Sequence, residues 1–327
     1  MFRKRIYDNR LYVSLDLHLQ EHARISTRVI RLPFSINVPR GYDLLSSVHS
    51  WIYPDIQPVP EQTGEGYFGR AYRFDNQHVA LVIRQTTPGE SLKVEHSETD
   101  IGRRRLTELV VKILNLDFKI DDALREMEAD PIISHLTPLV GGIRPYMSPT
   151  PYEALIKTII QQQVSYKAAN VFTKRMVIGL TKPVSFNNQL WYYFPDAHAI
   201  SRTGPKGLRN FGFGYKSEYI HIAANLVANG ELDIDSLFGV PFDKVLATLK
   251  PIRGIGEWTI RVLSLAGLGN FEVFAYSDLV IQKILGKLYN QGQRMTTTQV
   301  REHALRWGDS STMVLYLLMC AEVLGLI

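Results

Sequence analysis

Gly254-Ile255-Gly256-Glu257-Trp258-Thr259, followed twenty residues past Trp258 by Asp278, carries the residue types on this chain best suited to chemistry on a phosphate-bearing polymer. Glycines at 254 and 256 let the backbone turn tightly and leave its amides uncovered. At the start of a helix such amides, aided by the helix dipole, hold a phosphate without reading any base. Glycines also serve a plain turn between two helices. Ile255 argues for more, because an apolar tip residue packs down between the helices and keeps the loop rigid. A dinucleotide-binding loop fits poorly, since Thr259 stands where a third glycine is needed and a helix precedes the loop in place of a strand. Asp278 lies in Phe274-Ala275-Tyr276-Ser277-Asp278-Leu279 at the start of a helical stretch. An acid there caps the helix, or beside a substrate supplies negative charge to a developing cation.

Both features need helices to hold them. Apolar spacing predicts helices over residues 242–249 and 258–268, joined by 250–257, and another over 279–289. Further helices are expected over 120–127, 151–163, 165–179, 217–229, 297–307 and 311–326. Thr150-Pro151 opens one of these, and Gly267 and Gly269 flank the end of another. The first third of the chain has a different period. β-Branched and aromatic stretches at 10–17, 29–38, 67–74, 79–85 and 92–96 read as strands. Turn residues at Asp75-Asn76-Gln77 and Pro88-Gly89 separate the last three. Helical spacing over 42–53 ends at Pro54, and a basic amphipathic helix is expected over about 102–116. The expected fold is α+β: an N-terminal mixed α+β sheet domain over residues 1–116, then an all-helical domain over 117–327. No period of twenty to fifty residues recurs, which argues against a repeat array.

Composition narrows the classes. A chain of 327 residues suits two domains, and its 45% hydrophobic content is that of an ordinary globular protein. Its one cysteine, Cys320, excludes internal disulfides, cysteine-based zinc sites and iron–sulfur clusters. Lys and Arg exceed Asp and Glu by 37 to 32; up to residue 150 the counts are 19 and 19, and after it 18 and 13. The positive excess therefore lies on the half that holds the hairpin, which suits a polyanionic partner. The longest apolar run, 313–327, is too short to span a bilayer and contains Glu322. A cytoplasmic protein without a membrane partner is expected, associated with the nucleoid if the source is prokaryotic.

The order of hairpin, helix, short apolar loop and acid at a helix start resembles the helix-hairpin-helix superfamily of base-excision DNA glycosylases, and within it the 3-methyladenine DNA glycosylase II type. Trp258 stands where bifunctional members carry a Schiff-base Lys. Ile159-Ile160-Gln161-Gln162-Gln163-Val164-Ser165 resembles the segment that probes the duplex, and Leu208-Arg209-Asn210-Phe211-Gly212-Phe213-Gly214-Tyr215-Lys216-Ser217-Glu218-Tyr219-Ile220 the stretch leading into the next helix. The likeness covers about residues 148–320, and more loosely Gly41-Tyr42-Asp43 with the strands that follow.

The resemblance implies two helical subdomains, about 148–269 and 117–147 plus 270–327, with a lesion cleft between them. It implies a monofunctional enzyme, working as a monomer, that flips an alkylated purine out of damaged double-stranded DNA, hydrolyses its N-glycosidic bond and leaves an abasic site without a lyase step. Asp278 would then be the catalytic carboxylate. Gln163, with Gln162 beside it, would fill the vacated place in the duplex. Trp258 would wall the base pocket, its electron-rich face attracting a cationic purine. Gly254, Gly256 and Thr259 of the hairpin would contact DNA; by location, Arg253 and Lys216 are expected phosphate contacts, with Arg261 and Lys283 as further candidates. No cofactor is required for the chemistry, although the carbonyls of Lys250, Ile252 and Ile255 would hold a sodium or potassium ion. At Ser310 and Val262 this chain departs from the pattern, since relatives have stacking aromatics there. Pocket aromatics are then expected from Trp51, Tyr53 or Tyr276. That departure leaves a same-fold glycosylase for oxidised or deaminated purines as an alternative, with a non-catalytic DNA-binding module as a second.

His18-Leu19-Gln20-Glu21-His22 matches the H-x-x-E-H pattern of some zinc peptidases. It follows an expected strand with no long helix to carry it, which argues against a metal site. Arg103-Arg104-Arg105 reads as a solvated helix face, and Asp233 and Asp235 as capping residues.

Overall fold

A computed structural model describes residues 33–327. The strand expected over 10–17 and the His18/His22 pattern lie outside the described residues, as does the start of the strand expected over 29–38. What is described of the latter is β1 (Phe34–Ile36). Helix α1 (Leu44–His49) follows, capped by the Asp43 carboxylate. Then come β2 (Gln62–Gly64), β3 (Tyr67–Phe74), β4 (Gln77–Arg84), β5 (Leu92–His96) and α2 (Arg103–Leu114). The strands pair in the order β1-β5-β4-β3-β2, every pairing antiparallel. Asp75, at φ +50, turns β3 into β4. Strand alternation sends Phe68, Leu81, Ile83 and Val94 to one face, where they pack with Leu44 and Val48 of α1 and Leu106, Val110 and Ile113 of α2.

The second face of the sheet is covered by something the helical period past residue 117 conceals. Strands β6 (Val184–Phe186) and β7 (Gln189–Trp191) form a hairpin through Asn187 and Asn188, both at positive φ. Asn in left-handed backbone is the usual solution for so tight a loop. Trp191 is buried against Ala71, Ala80 and Val82, and the Ala71 amide donates to the Tyr192 carbonyl at 2.8 Å. A Cβ on Gly69 would collide with the Trp191 ring, so the glycine lets the hairpin seat.

The remainder is helical: α3 (Asp121–Ala129), α4 (Thr137–Val140), α5 (Pro151–Gln161), α6 (Tyr166–Leu180), α7 (Ala197–Arg209), α8 (Lys216–Ala228), α9 (Phe242–Leu249), α10 (Glu257–Ala266), α11 (Leu279–Tyr289), α12 (Thr297–Ala304) and α13 (Ser311–Val323). Two differ notably from expectation. Helix α7 has no counterpart among the predicted elements, because Gly204-Pro205 interrupts its spacing. The helix predicted over 297–307 ends at Ala304 and tightens into a 3-10 turn.

Two apolar clusters organise these helices. Ile156, Ile160, Ile220, Val245, Ile255 and Leu263 anchor one, drawn from α5, α8, α9, α10 and the loop between the last two. Ile284, Leu285, Val300, Val314 and Leu318 anchor the other, with α13 at its centre. The apolar run around Cys320 is therefore a buried helix, and no helix among the described residues is long and apolar enough to cross a membrane. Helix α5 is fastened to the sheet by charge. Arg70 on β3 donates to both Glu153 oxygens at 2.7 and 2.8 Å and to Glu61 at 2.8 Å, and Lys157 donates to Glu61 at 2.7 Å. Arg70, Glu61 and Glu153 are all buried.

Candidate active site

Helices α9 and α10 are joined by residues 250–256, and the two glycines of that loop do different work. Gly254 has φ +90, and a Cβ there would enter the ring of Tyr219 on α8. Both its backbone conformation and its packing require glycine. Gly256 has ordinary extended backbone and immediately precedes α10. No atom lies within 4 Å of where its Cβ would stand, so the amides at the start of α10 are approachable from outside. Ile255 points the other way and is buried in the cluster with Val245 and Ile260.

From the first turn of α10, beside that amide surface, Trp258 reaches the start of α11. Its Nε1 donates to Asp278 Oδ2 at 2.9 Å, while Oδ1 accepts from the Val280 amide at 2.8 Å. Asp278 is thus a helix cap and a Trp partner together, and each oxygen keeps lone-pair capacity. Both side chains line a cavity of about 180 Å³. Trp51 and Val262 line it as well, and the Trp51 indole is held by donation to Tyr316 Oη at 2.7 Å. Tyr316, Met319 and Cys320 on α13 complete the far wall. Sequence reasoning missed these three because α13 is apolar all round, so its pattern does not separate cavity-facing positions from core. Burial pushes the Cys320 thiol up to about 12, so it lines the wall as a neutral group.

Several expected site residues stand elsewhere. Tyr276 turns away from the cavity, packing beside Phe274 with Arg301 over its ring. Ser310 precedes α13, six residues before Tyr316, the nearest cavity residue on that helix; this is about 9 Å along the axis. Tyr53, half-buried, packs beside Tyr166 with Lys167 over its ring, and does not line the cavity. Lys216 is not a surface phosphate contact. It is buried, its Nζ donating to the carbonyls of Ile160 and Gln162 at 2.6 and 2.9 Å, and desolvation lowers its pKa to about 8. The Thr259 side chain is buried too, its hydroxyl accepting from Gln162 Nε2 at 2.9 Å. Gln162 also donates to the Gly254 carbonyl at 2.8 Å, so it braces the hairpin and leaves only Gln163 exposed at the end of α5. Arg261 is paired with Glu257 at 2.8 Å and reaches the Phe274 carbonyl, tying α10 to the loop that carries Asp278. Arg253 and Lys283 are exposed, and Arg253 lies near Glu218 and the Tyr219 ring.

The chain is similar to known proteins in sequence and in fold. A family model for HhH-GPD superfamily base excision DNA repair proteins matches residues 156–309, a span containing the hairpin and Asp278. A DNA-3-methyladenine glycosylase of Bacillus subtilis is 28% identical over 207 residues, which are 62% of this chain and 68% of that one. The structure of a 3-methyladenine DNA glycosylase from Archaeoglobus fulgidus superposes with a TM-score of 0.79 at 25% identity, covering 88% of this chain and 98% of that one. The Schizosaccharomyces pombe 3-methyladenine DNA glycosylase Mag1, solved in complex with abasic DNA, superposes with a TM-score of 0.52 at 25% identity, over 61% and 96%.

Proposed function

The chain belongs to the HhH-GPD superfamily of base excision DNA repair proteins, and from that premise we propose that it is a monofunctional DNA glycosylase releasing alkylated purines. The observation that carries the reading is the Asp278–Trp258 contact on the wall of a cavity, made from the first turn of a helix whose N-terminus is open. A phosphate held at Gly256 brings a deoxyribose near Asp278 while the flipped base enters the cavity. As the C1′–N bond breaks, its electron pair leaves with the base and positive charge grows on the sugar. The Asp278 carboxylate stabilises that charge. Water then adds to C1′, giving up a proton to the carboxylate or to solvent. A purine made cationic by alkylation departs as a neutral molecule, so one carboxylate is sufficient. The Trp258 ring, fixed by its hydrogen bond, offers its face to such a cation.

Gln163 fills the space left by the base, and Arg253 contributes charge near the hairpin. The enzyme acts as a monomer on damaged duplex DNA. The carbonyls of Lys250, Ile252 and Ile255 offer hard oxygen donors on one loop, a set suited to an alkali ion that would brace the hairpin. The test is a panel of duplexes carrying 3-methyladenine, hypoxanthine or 8-oxoguanine. Release of free base from the alkylated duplex, with no adduct trapped by borohydride, is expected. Binding without release across the panel would make the protein a phosphate clamp only, and release confined to the other lesions would move its substrate class.

A further inference from the structure

The hydrogen bonds that removed Gln162, Lys216 and Thr259 from the DNA surface converge on one place. Helix α5 stops at Gln161; Gln162 leaves the helix with ψ 128, and Gln163 takes φ +54. That left-handed backbone is uncommon for a residue with a side chain. It swings the chain off the helix axis and leaves Gln163 exposed. Lys216 holds the turn from beneath through the Ile160 and Gln162 carbonyls. Tyr215 holds it from the side, its hydroxyl donating to Gln163 Oε1 at 2.7 Å.

The Gln162 side chain runs in the opposite direction, into the hairpin. Its two acceptors, the Gly254 carbonyl and the Thr259 hydroxyl, stand on either side of Gly256: one in the loop before it, the other in the first turn of α10. Because a carbonyl only accepts, the amide nitrogen must face the hairpin, and both of its hydrogens are engaged. The backbone of Gln162 is bonded to that of Gln163 through one rigid peptide unit. A displacement of the hairpin is therefore passed to the probe across a single residue.

We propose that Gln162 is a positioning residue that locks the duplex probe Gln163 to the phosphate-binding hairpin, so that grip on the backbone and insertion at the lesion act as one unit. The inference rests on the glycosylase reading above. Its physical logic is that extruding a base costs a few kcal/mol, whereas phosphate contacts are independent of sequence. A strut between the two lets backbone binding favour insertion of the probe. Without it, the hairpin would still bind DNA, but Gln163 would have to find its place separately.

The experiment compares the wild-type protein with Gln162→Leu, Gln163→Ala and the double variant. It measures single-turnover base release from a methylated duplex and the fluorescence of 2-aminopurine placed beside the lesion as a report of unstacking. Gln162→Leu should keep its affinity for undamaged duplex within about twofold, while slowing unstacking and base release about tenfold, as loss of two neutral hydrogen bonds warrants. The decisive comparison is the double variant. If Gln162 acts through Gln163, the double variant is no slower than Gln163→Ala alone.

Thr259→Val removes one of the two acceptors with little change in shape. It should give a smaller slowing that also vanishes on the Gln163→Ala background, which keeps the test standing if Gln162→Leu unfolds. Multiplicative slowing in the double variant, or a Gln162→Leu protein that unstacks and releases at the wild-type rate, overturns the strut. Absence of both unstacking and release in the wild type overturns the glycosylase reading together with the strut; wild-type release with unaltered unstacking in every variant overturns the strut alone.

Discussion

Glu153 and Asp278 both stand at the start of a helix, Glu153 in the first turn behind the cap Thr150 and Asp278 as the cap itself. Glu153, in the first turn of α5, is buried, with Arg70 forked across both oxygens and Lys157 beside it. Asp278, at the start of α11, receives two neutral donors and faces a cavity. Two cations saturate the first carboxylate, which joins α5 to the sheet. The second is held in place without being neutralised, and it borders a space that a base can enter. What separates a structural acid from a candidate catalytic one is therefore the remaining lone-pair capacity and the void in front of it.

The largest expected effect of breaking this comparison falls on the structural side. Glu153→Ala leaves Arg70 without its forked partner in a buried setting and should cost about 3–5 kcal/mol of stability in urea unfolding. Base release by the protein that remains folded should be nearly unchanged. Gly254→Ala comes next, because both φ +90 and the Tyr219 ring oppose a side chain. A loss of about 1–3 kcal/mol in stability is expected, together with weaker binding of undamaged duplex in a fluorescence titration. Gly256→Ala sharpens the contrast between the glycines: its Cβ meets no protein atom, so stability should change by less than about 1 kcal/mol, while the methyl group obstructs the approach of a phosphate and weakens binding.

A separate set of effects depends on pH. Burial alone would raise the Glu153 pKa, but Arg70 and then Lys157 outweigh it and hold the carboxyl at about 2, against an ordinary 4.5. A depressed carboxyl contributes stability above its unfolded value and loses it as pH falls through its folded value. The contribution should thus be complete above about pH 4.5 and disappear toward pH 2, and a Glu153→Gln protein should lack that part of the acid transition. For Lys216 the sign is opposite. Its pKa is lowered to about 8 by desolvation, so its buried charge is a cost below pH 8, relieved as pH rises toward the ordinary 10.5. Wild-type stability should rise relative to a Lys216→Met protein across that interval.

The hairpin and the helix start at Asp278 are legible because their signals are local: glycines at a turn, an apolar tip, an acid at a helix start; Trp258 enters only through the resemblance. Strands β3 and β5 and helices α9 and α11 were read correctly to the residue for the same reason. Lys216, Gln162 and Thr259 were misread as DNA-facing, since a polar side chain declares a partner but not which one, and theirs come from distant elements. The β6–β7 hairpin left a signal that could have been used. Asn187-Asn188 between Val184-Ser185-Phe186 and Gln189-Leu190-Trp191 is a two-residue turn of residues that tolerate left-handed backbone, flanked by short stretches rich in β-branched and aromatic residues. The far wall of the cavity left none, because the period of α13 is hidden in a fully apolar run.

In the proposed mechanism Asp278 supplies the charge that glycosidic cleavage needs. The most direct measurement is single-turnover release of base from methylated duplex DNA by the wild-type and Asp278→Asn proteins, with duplex affinity and melting temperature measured alongside. Asn retains a capping oxygen for α11, so folding and binding should persist while release falls by at least about 100-fold. Release by the Asp278→Asn protein at the wild-type rate would contradict the account.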